Sequence, residues 1–137
     1  MVGDCILVFL TALSPVGEEL IAIPLGVALG LPPIIAALVA VSSNYLPVAV
    51  ICAVFSQADR FPRFARVLVR LQSKRGAMVA QRGAGLVVVL ATPWIGVYAT
   101  TVGLELVGVS RSRILVLTAV SLVGYAVIST TLSVLVF

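Results

Sequence analysis

Two adjacent carboxylates, Glu18 and Glu19, lie inside a long apolar stretch of the sequence. A charged side chain at the centre of a bilayer costs at least about 2.5–3.5 kcal/mol, and a carboxyl group avoids much of that cost by binding a proton. A carboxyl that alternates between a proton and another ligand can couple the movement of the two. We therefore predict this role for Glu18 and leave it open for Glu19, because adjacent helical residues point about 100° apart. In the alternative, both acids lie at the outer interface and contact solvent.

The composition indicates that such a site lies in a membrane. The chain has 137 residues, of which 61% are hydrophobic and 10% charged, and its mean hydropathy is +1.24. A soluble domain carries about 25% charged residues, and a spanning helix needs about 20 apolar residues. We expect a single-domain, all-α integral membrane protein, multi-pass in the cell (plasma or inner) membrane, with no nucleic-acid partner.

The residue types argue against catalysis. The sequence has no histidine and offers no nucleophile–base pair, metal-ligand cluster or phosphate-binding loop. We therefore predict neither an enzyme nor a bound metal or cofactor. Cys5 and Cys52 are predicted to be small buried hydrophobic residues that form no disulfide with each other.

The basic residues predict the orientation of the chain. All nine lie in two clusters, within residues 60–82 and at Arg111 and Arg113, and the positive-inside rule places residues 59–83 and 110–113 in the cytoplasm. The apolar block 84–109 has a basic cluster on both sides, so we predict that it enters the membrane and returns as a re-entrant helical hairpin. A single kinked spanning helix is the alternative.

The first apolar block repeats features of the second. Prolines and glycines interrupt both blocks, and the predicted hairpin breakers are Pro15, Pro24, Gly26, Pro93 and Gly96. Pro15 matches Pro93 and Gly30 matches Gly108 at one common spacing, whereas Tyr45 matches Tyr125 at a slightly larger one. This drift predicts a small insertion near residues 111–113.

The pattern predicts two copies of one unit, each a re-entrant hairpin followed by a transmembrane helix. The first copy covers residues 1–56, the second covers 84–137, and a cytoplasmic amphipathic linker helix covers 57–83. The spanning helices are predicted at 33–56 and 114–137. One span between the copies inverts the second, and inverted repeats with broken helices are a recurring plan of secondary transporters.

Further polar residues in the apolar blocks are candidates for a proton or substrate site. They are Asn44, Tyr98, Thr100 and Glu105 in addition to the two acids, with interhelical hydrogen bonding as the alternative role for the uncharged ones. Glu105 lies near the mouth of the second hairpin, and in the alternative it reaches water. The linker is predicted to lie on the inner membrane surface and contact lipids through Arg63, Arg66, Arg70 and Lys74.

The segment "EELIAIPLG", Glu18 to Gly26, resembles the "ELRGAIPLG" signature of the small multidrug export protein family of prokaryotic membrane proteins. The stretch "ATPWIGVYATTVGLELVGVSRSR" looks like the second signature of that family. Two departures are Leu20 in place of the family arginine, and Trp94 and Ile95 in place of most of a Pro-Gly-Thr-Gly turn. The family is similar in plan to DedA-type membrane proteins, which have two re-entrant hairpins and are linked to carrier-lipid movement.

Residues and resemblance together predict a small secondary exporter, proton-coupled through Glu18, of a small organic or lipid-like substrate. One copy has few walls to enclose a cavity, so we expect a homodimer. The first alternative is a DedA-like flippase or scramblase of a phosphorylated lipid carrier. The second is a four-helix transporter similar to the small multidrug resistance proteins, in which residues 110–113 would face outside.

Overall fold

The computed structural model describes residues 1–14, 18–58, 83, 85, 86, 88, 92 and 95–136. Over these residues the chain forms helices α1 (Val2–Leu13), α2 (Glu18–Ala28), α3 (Pro33–Ala58), α4 (Val97–Val107) and α5 (Arg111–Val136), and no strand occurs among them. The prediction of an all-α protein is confirmed. Predictions for Pro15, Pro93, Trp94 and the linker residues Arg63, Arg66, Arg70 and Lys74 fall outside the described residues.

Two helices among the described residues are long and apolar enough to cross a membrane. The candidate spans are Pro33–Gln57 in α3 and Arg111–Val136 in α5. Large hydrophobic side chains project from both helices, including Ile34 and Leu135, which are 73% and 77% exposed. Such apolar surfaces are typical of helices in contact with lipid. The helix that contains the predicted span 114–137 begins at Arg111, and Ser110 accepts its first backbone hydrogen bonds, from Arg113 and Ile114.

The contacts divide the chain into two compact units. Unit 1 contains Met1–Pro47 and Ala119–Phe137, and unit 2 contains Val48–Thr118. Unit 1 therefore includes α1, α2, the first part of α3 and most of α5, whereas unit 2 includes α4 and the remaining parts of α3 and α5.

In unit 1, α1 and α2 form a helical hairpin. They have 12 and 11 residues, so each is roughly 16–18 Å long, little more than half of the ~30 Å hydrocarbon core. Their apolar faces pack against α3 and α5 in a core of small and branched side chains, which are Val8, Ala12, Ala22, Ile23, Leu31, Ala36, Ala40 and Ala126.

Gly26 is the point of closest approach in this core. A Cβ atom added to Gly26 would lie 2.8 Å from Ala36 Cβ and 2.9 Å from Val8 Cγ2, so the close packing of three helices depends on the absence of a side chain. The prediction that Pro24 and Gly26 break the hairpin is wrong, because both lie inside α2. Close packing against the neighbouring helices allows the proline inside the helix. The first helix ends at Leu13 and the second begins at Glu18.

In unit 2, glycines delimit α4. Gly96, with φ 89°, precedes the helix, and Gly108, with φ 85°, follows it in the left-handed conformation. Positive φ favours glycine because it has no Cβ. The prediction that Gly96 breaks the chain agrees with this geometry.

The local structure of the first half recurs in the second at a constant spacing, the one that separates Gly30 from Gly108. Gly30 N–H donates to Val27 O as Gly108 N–H donates to Glu105 O. Three further pairs of backbone N–H to carbonyl hydrogen bonds match at the same spacing. The bond from Leu31 to Gly26 matches that from Val109 to Leu104. The bonds from Ile35 and Ala36 to Pro32 match those from Arg113 and Ile114 to Ser110.

This constant spacing differs from the register predicted from sequence. The helices α3 and α5 both have 26 residues, and the matched hydrogen bonds continue through residues 111–113, where an insertion was predicted. Tyr45 therefore corresponds to Val123 and not to Tyr125. Buried Ser43 corresponds to buried Ser121.

Candidate functional site

Glu19 is a buried acid in the first turn of α2. Its side chain is 3% exposed, and its Oε2 atom has no hydrogen-bond partner among the residues that the structure describes. Carboxylates are favourable near helix N-termini, where backbone N–H groups are unpaired. A buried oxygen without a partner is costly, so this atom marks a position where a proton or a ligand would be stabilised.

Asn44 holds the backbone next to this acid. With its amide in the orientation that satisfies both ends, the side-chain oxygen accepts the Glu19 N–H at 3.0 Å and the NH2 group donates to the Ala12 carbonyl. One buried amide therefore links the end of α1, the start of α2 and the middle of α3. Asn44 itself is 1% exposed.

Ser43 forms a second link between α3 and α1. Its hydroxyl donates to the Phe9 carbonyl at 2.7 Å. Interhelical bonds from Ser and Asn side chains contribute about 0.6 kcal/mol on average in membrane proteins. Ser43 and Asn44 thus hold the hairpin against α3 at the level of Glu19.

Glu18 has a different environment from Glu19. Its side chain is partly exposed, and its backbone N–H donates to the Ser14 carbonyl at 3.3 Å. Its φ of 31° lies in the left-handed region that side chains rarely adopt. The structure therefore distinguishes the two adjacent acids, with Glu19 directed into the protein.

The charged side chains of unit 1 are all acidic. Its sequence contains Asp4, Glu18 and Glu19 but no lysine or arginine. Asp4 lies at the start of α1, where a hydrogen bond from the terminal ammonium group lowers the pKa of its carboxyl group. No side-chain cation of unit 1 can neutralise Glu19.

Unit 2 contains a second buried acid, Glu105, which is paired. The Arg111 Nε–H donates to Glu105 Oε1 at 3.2 Å, and the two side chains are 35% and 4% exposed, respectively. The alternative in which Glu105 reaches water is therefore wrong.

The other candidates of unit 2 are placed on α4. Thr100 is buried, and its hydroxyl donates to the Gly96 carbonyl at 2.9 Å. Tyr98 is partly exposed. Glu18, Glu19 and Asn44 thus come together in unit 1, whereas Tyr98, Thr100 and Glu105 lie in unit 2.

The structure gives Asn44 the interhelical hydrogen bonds that the sequence analysis named as its alternative role. Sequence reasoning missed the Glu105–Arg111 pair. The Glu105–Arg111 pair had a usable signal, since opposite charges lie close together in sequence on either side of the helix-ending Gly108. Cys52 is buried, as predicted.

Comparison with known proteins gives one match. A family model described as "Putative small multi-drug export protein" matches residues 18–128, which include α2 to α4 and most of α5. No curated protein and no solved structure matches the chain.

Proposed function

Because the chain belongs to the small multi-drug export protein family, we propose that it is a small secondary transporter that takes up and releases a proton at Glu19 while exporting an organic or lipid-like substrate. The family and the two apolar helices indicate a membrane protein with an export role. The role of Glu19 in proton coupling goes beyond what the family indicates and is our proposal.

The unpartnered Oε2 of buried Glu19 carries this proposal. A carboxyl group in such a place is most stable when it holds a proton or a ligand, and exchange between the two is the elementary step of coupled transport. Sequence reasoning favoured Glu18, but the burial and the Asn44 contact favour Glu19.

The depth of the site follows from its contact with α3. Asn44 lies near the middle of the candidate span Pro33–Gln57, so a residue bonded to it lies near the bilayer midplane if α3 crosses the membrane. The hairpin formed by α1 and α2 is too short to cross twice and would enter from one face and return. Ser43 and Asn44 form hydrogen bonds with backbone groups of α1 and α2. Backbone groups inside the hydrocarbon core need such protein partners, because no water is available there.

The repeat supports an alternating mechanism. Two halves with the same local hydrogen bonds at a constant spacing, joined by a single span, would have opposite orientations. In inverted-repeat transporters, one repeat moves against the other around a fixed site. We propose the same plan here, in a homodimer embedded in the cell membrane.

A flippase or scramblase of a phosphorylated lipid carrier is the second candidate. It is supported by the exposed cationic start of α5, where Arg113 is exposed and Arg111 is 35% exposed. Cationic groups at the inner surface attract anionic headgroups. This candidate requires no proton exchange at Glu19, which distinguishes it from the exporter.

The test measures transport in proteoliposomes across an imposed pH gradient. A cationic dye, a neutral dye and a fluorescent lipid phosphate are supplied separately. We expect gradient-driven transport of at least one dye by the wild type and none by Glu19→Gln, with Asp4→Asn as the control acid. Glu18→Gln compares the neighbouring carboxylate.

Full transport by Glu19→Gln, with protein correctly inserted in the vesicles, would overturn the coupling role of this residue. Movement of the lipid phosphate alone, independent of the gradient, would favour the flippase. Loss of transport in Glu18→Gln but not in Glu19→Gln would assign coupling to the residue favoured by the sequence.

A further inference from the structure

We propose that unit 1 binds monovalent lipophilic cations, with the Glu19 carboxylate as the counter-charge and an apolar groove between α3 and α5 holding the body of the ligand. This inference rests on the proposed function and adds the substrate class. A cation with an apolar body would compete with the proton for one carboxylate.

The acidic side chains of unit 1 favour a positively charged ligand. Glu19 is only 3% exposed and its Oε2 is unpartnered among the described residues. The sequence of the unit supplies three acids and no basic side chain. An anion near Glu19 would meet a like charge with no basic side chain in the unit to offset it, whereas a cation would supply the missing counter-charge.

The groove in unit 1 suits an apolar body. It has a volume of about 550 Å³ and is lined by α3 and α5, which is within the range of pockets that hold small molecules. Its walls are almost entirely aliphatic, with Thr130 and Thr131 as the polar exceptions. Val127 stands at the groove and is 60% exposed.

The groove and the carboxylate are connected through α3 and the core. Val41 lines the groove, and Asn44, one helical turn later, bonds to Glu19; three residues correspond to about 4.5 Å along the helix. Ala126 lines the groove and also belongs to the buried cluster that contains Ala22, in the helical turn after Glu19. Glu19 does not itself line the groove, but the two parts of the proposed site share α3 and the buried cluster of unit 1.

The test measures binding without any gradient, in nanodiscs of neutral phosphatidylcholine. The probes are tetraphenylphosphonium and tetraphenylborate, ions of the same shape and opposite charge, and empty nanodiscs correct for partition into lipid. We expect saturable binding of the cation alone, weakened at least tenfold in Glu19→Gln and unchanged in Asp4→Asn. Binding should also weaken as the pH falls, because protons compete for the carboxylate.

A groove variant keeps the proposal testable if Glu19→Gln fails to fold. Val127→Trp fills the groove from an exposed position, and Val120→Trp is the matched control, since Val120 is 64% exposed on the same helix and does not line the groove. We expect Val127→Trp to weaken binding of the cation at least fivefold and Val120→Trp to leave it unchanged.

Absence of cation binding by the wild type would overturn this inference. So would cation binding by both Glu19→Gln and Val127→Trp that is as strong as binding by the wild type. If Val127→Trp changes the oligomeric state but not cation binding, the groove is a subunit interface and the inference also fails. Proton-coupled transport of the neutral dye without cation binding would leave the proposed function standing and remove only the substrate class. Cation binding without transport would remove the exporter instead.

Discussion

Asn44 and Glu19 are joined by a hydrogen bond of 3.0 Å between the Asn44 side-chain oxygen and the Glu19 backbone N–H, while the Asn44 NH2 group donates to Ala12. Both arms of the first hairpin are thereby tied to the centre of α3 through one buried side chain. At the corresponding position of the second half, Leu122 is buried and apolar. A leucine side chain cannot form such a polar link at that position.

Replacing Asn44 by leucine should loosen the first hairpin. The substitution removes the hydrogen bonds that Asn44 forms with the Glu19 N–H and the Ala12 carbonyl, and loss of the partner of a buried group costs about 1–3 kcal/mol. We expect a lower midpoint of thermal unfolding in detergent. Ser42→Ala is the control, because the Ser42 hydroxyl is exposed and bonds only within α3, to Leu38 O. Equal unfolding midpoints for Asn44→Leu and wild type would contradict the link.

Gly26→Ala should destabilise the same hairpin through packing. The added methyl group would lie 2.8 Å from Ala36 Cβ and 2.9 Å from Val8 Cγ2, and overpacking of a core costs roughly 1–3 kcal/mol. The matched control is Gly103→Ala in α4, where nothing lies within 4 Å of the new Cβ and alanine favours the helix. Thermal unfolding should therefore separate the two variants. A Gly26→Ala protein as stable as Gly103→Ala would show that the three helices are not closely packed.

Arg111→Gln should destabilise unit 2 because it leaves the buried Glu105 carboxylate without its cation. Arg111 is partly exposed, so we expect about 1–3 kcal/mol, below the cost of breaking a fully buried pair. Adding Glu105→Gln should recover most of that loss, because residue 105 then carries no charge that needs a cation. A double-mutant cycle on unfolding free energies measures the coupling.

The control for this cycle is Arg113→Gln, which changes an exposed arginine in the same turn of α5. It should leave the unfolding free energy within about 0.5 kcal/mol of the wild type. Additive effects of the Arg111 and Glu105 substitutions would mean that the ion pair contributes nothing.

Cysteine labelling tests the predicted topology. In a background without Cys5 and Cys52, Ser110→Cys should react with a membrane-impermeant maleimide only from the cytoplasmic side. Leu29→Cys, in the turn after α2, should react only from the outside, because the positive-inside rule orients the two turns oppositely. Leu29 is 43% exposed and Ser110 is exposed, so both can be labelled. Labelling of Ser110→Cys from outside would support the four-helix alternative.

Much of the fold was accessible from the sequence. Composition and the long apolar runs predict the helical membrane class, and Gly30, Gly96 and Gly108 mark helix ends because positive φ favours glycine. Pro24 and Gly26 gave the wrong break, since a proline or glycine in sequence does not reveal whether neighbouring helices pack closely enough to keep the helix intact.

The site was only partly accessible. Adjacent acids in an apolar segment point to chemistry, but which one faces inward depends on the rotation of α2, and that is fixed by tertiary contacts such as the one between Asn44 and Glu19. The pairing of Glu105 with Arg111 required the turn at Gly108 to bring the two side chains together. Periodicity alone does not supply that geometry.

The hydrogen bonds within residues 26–36 recur at a constant spacing within residues 104–114, and the same spacing assigns counterparts to other positions. At this spacing Glu19 corresponds to Val97, Asn44 corresponds to Leu122, and Val27 corresponds to Glu105. Chimaeras that exchange single counterparts, or duplicate either half, can therefore be written without gaps. Such hybrids test whether the residues around Gly30 and Gly108 can replace one another.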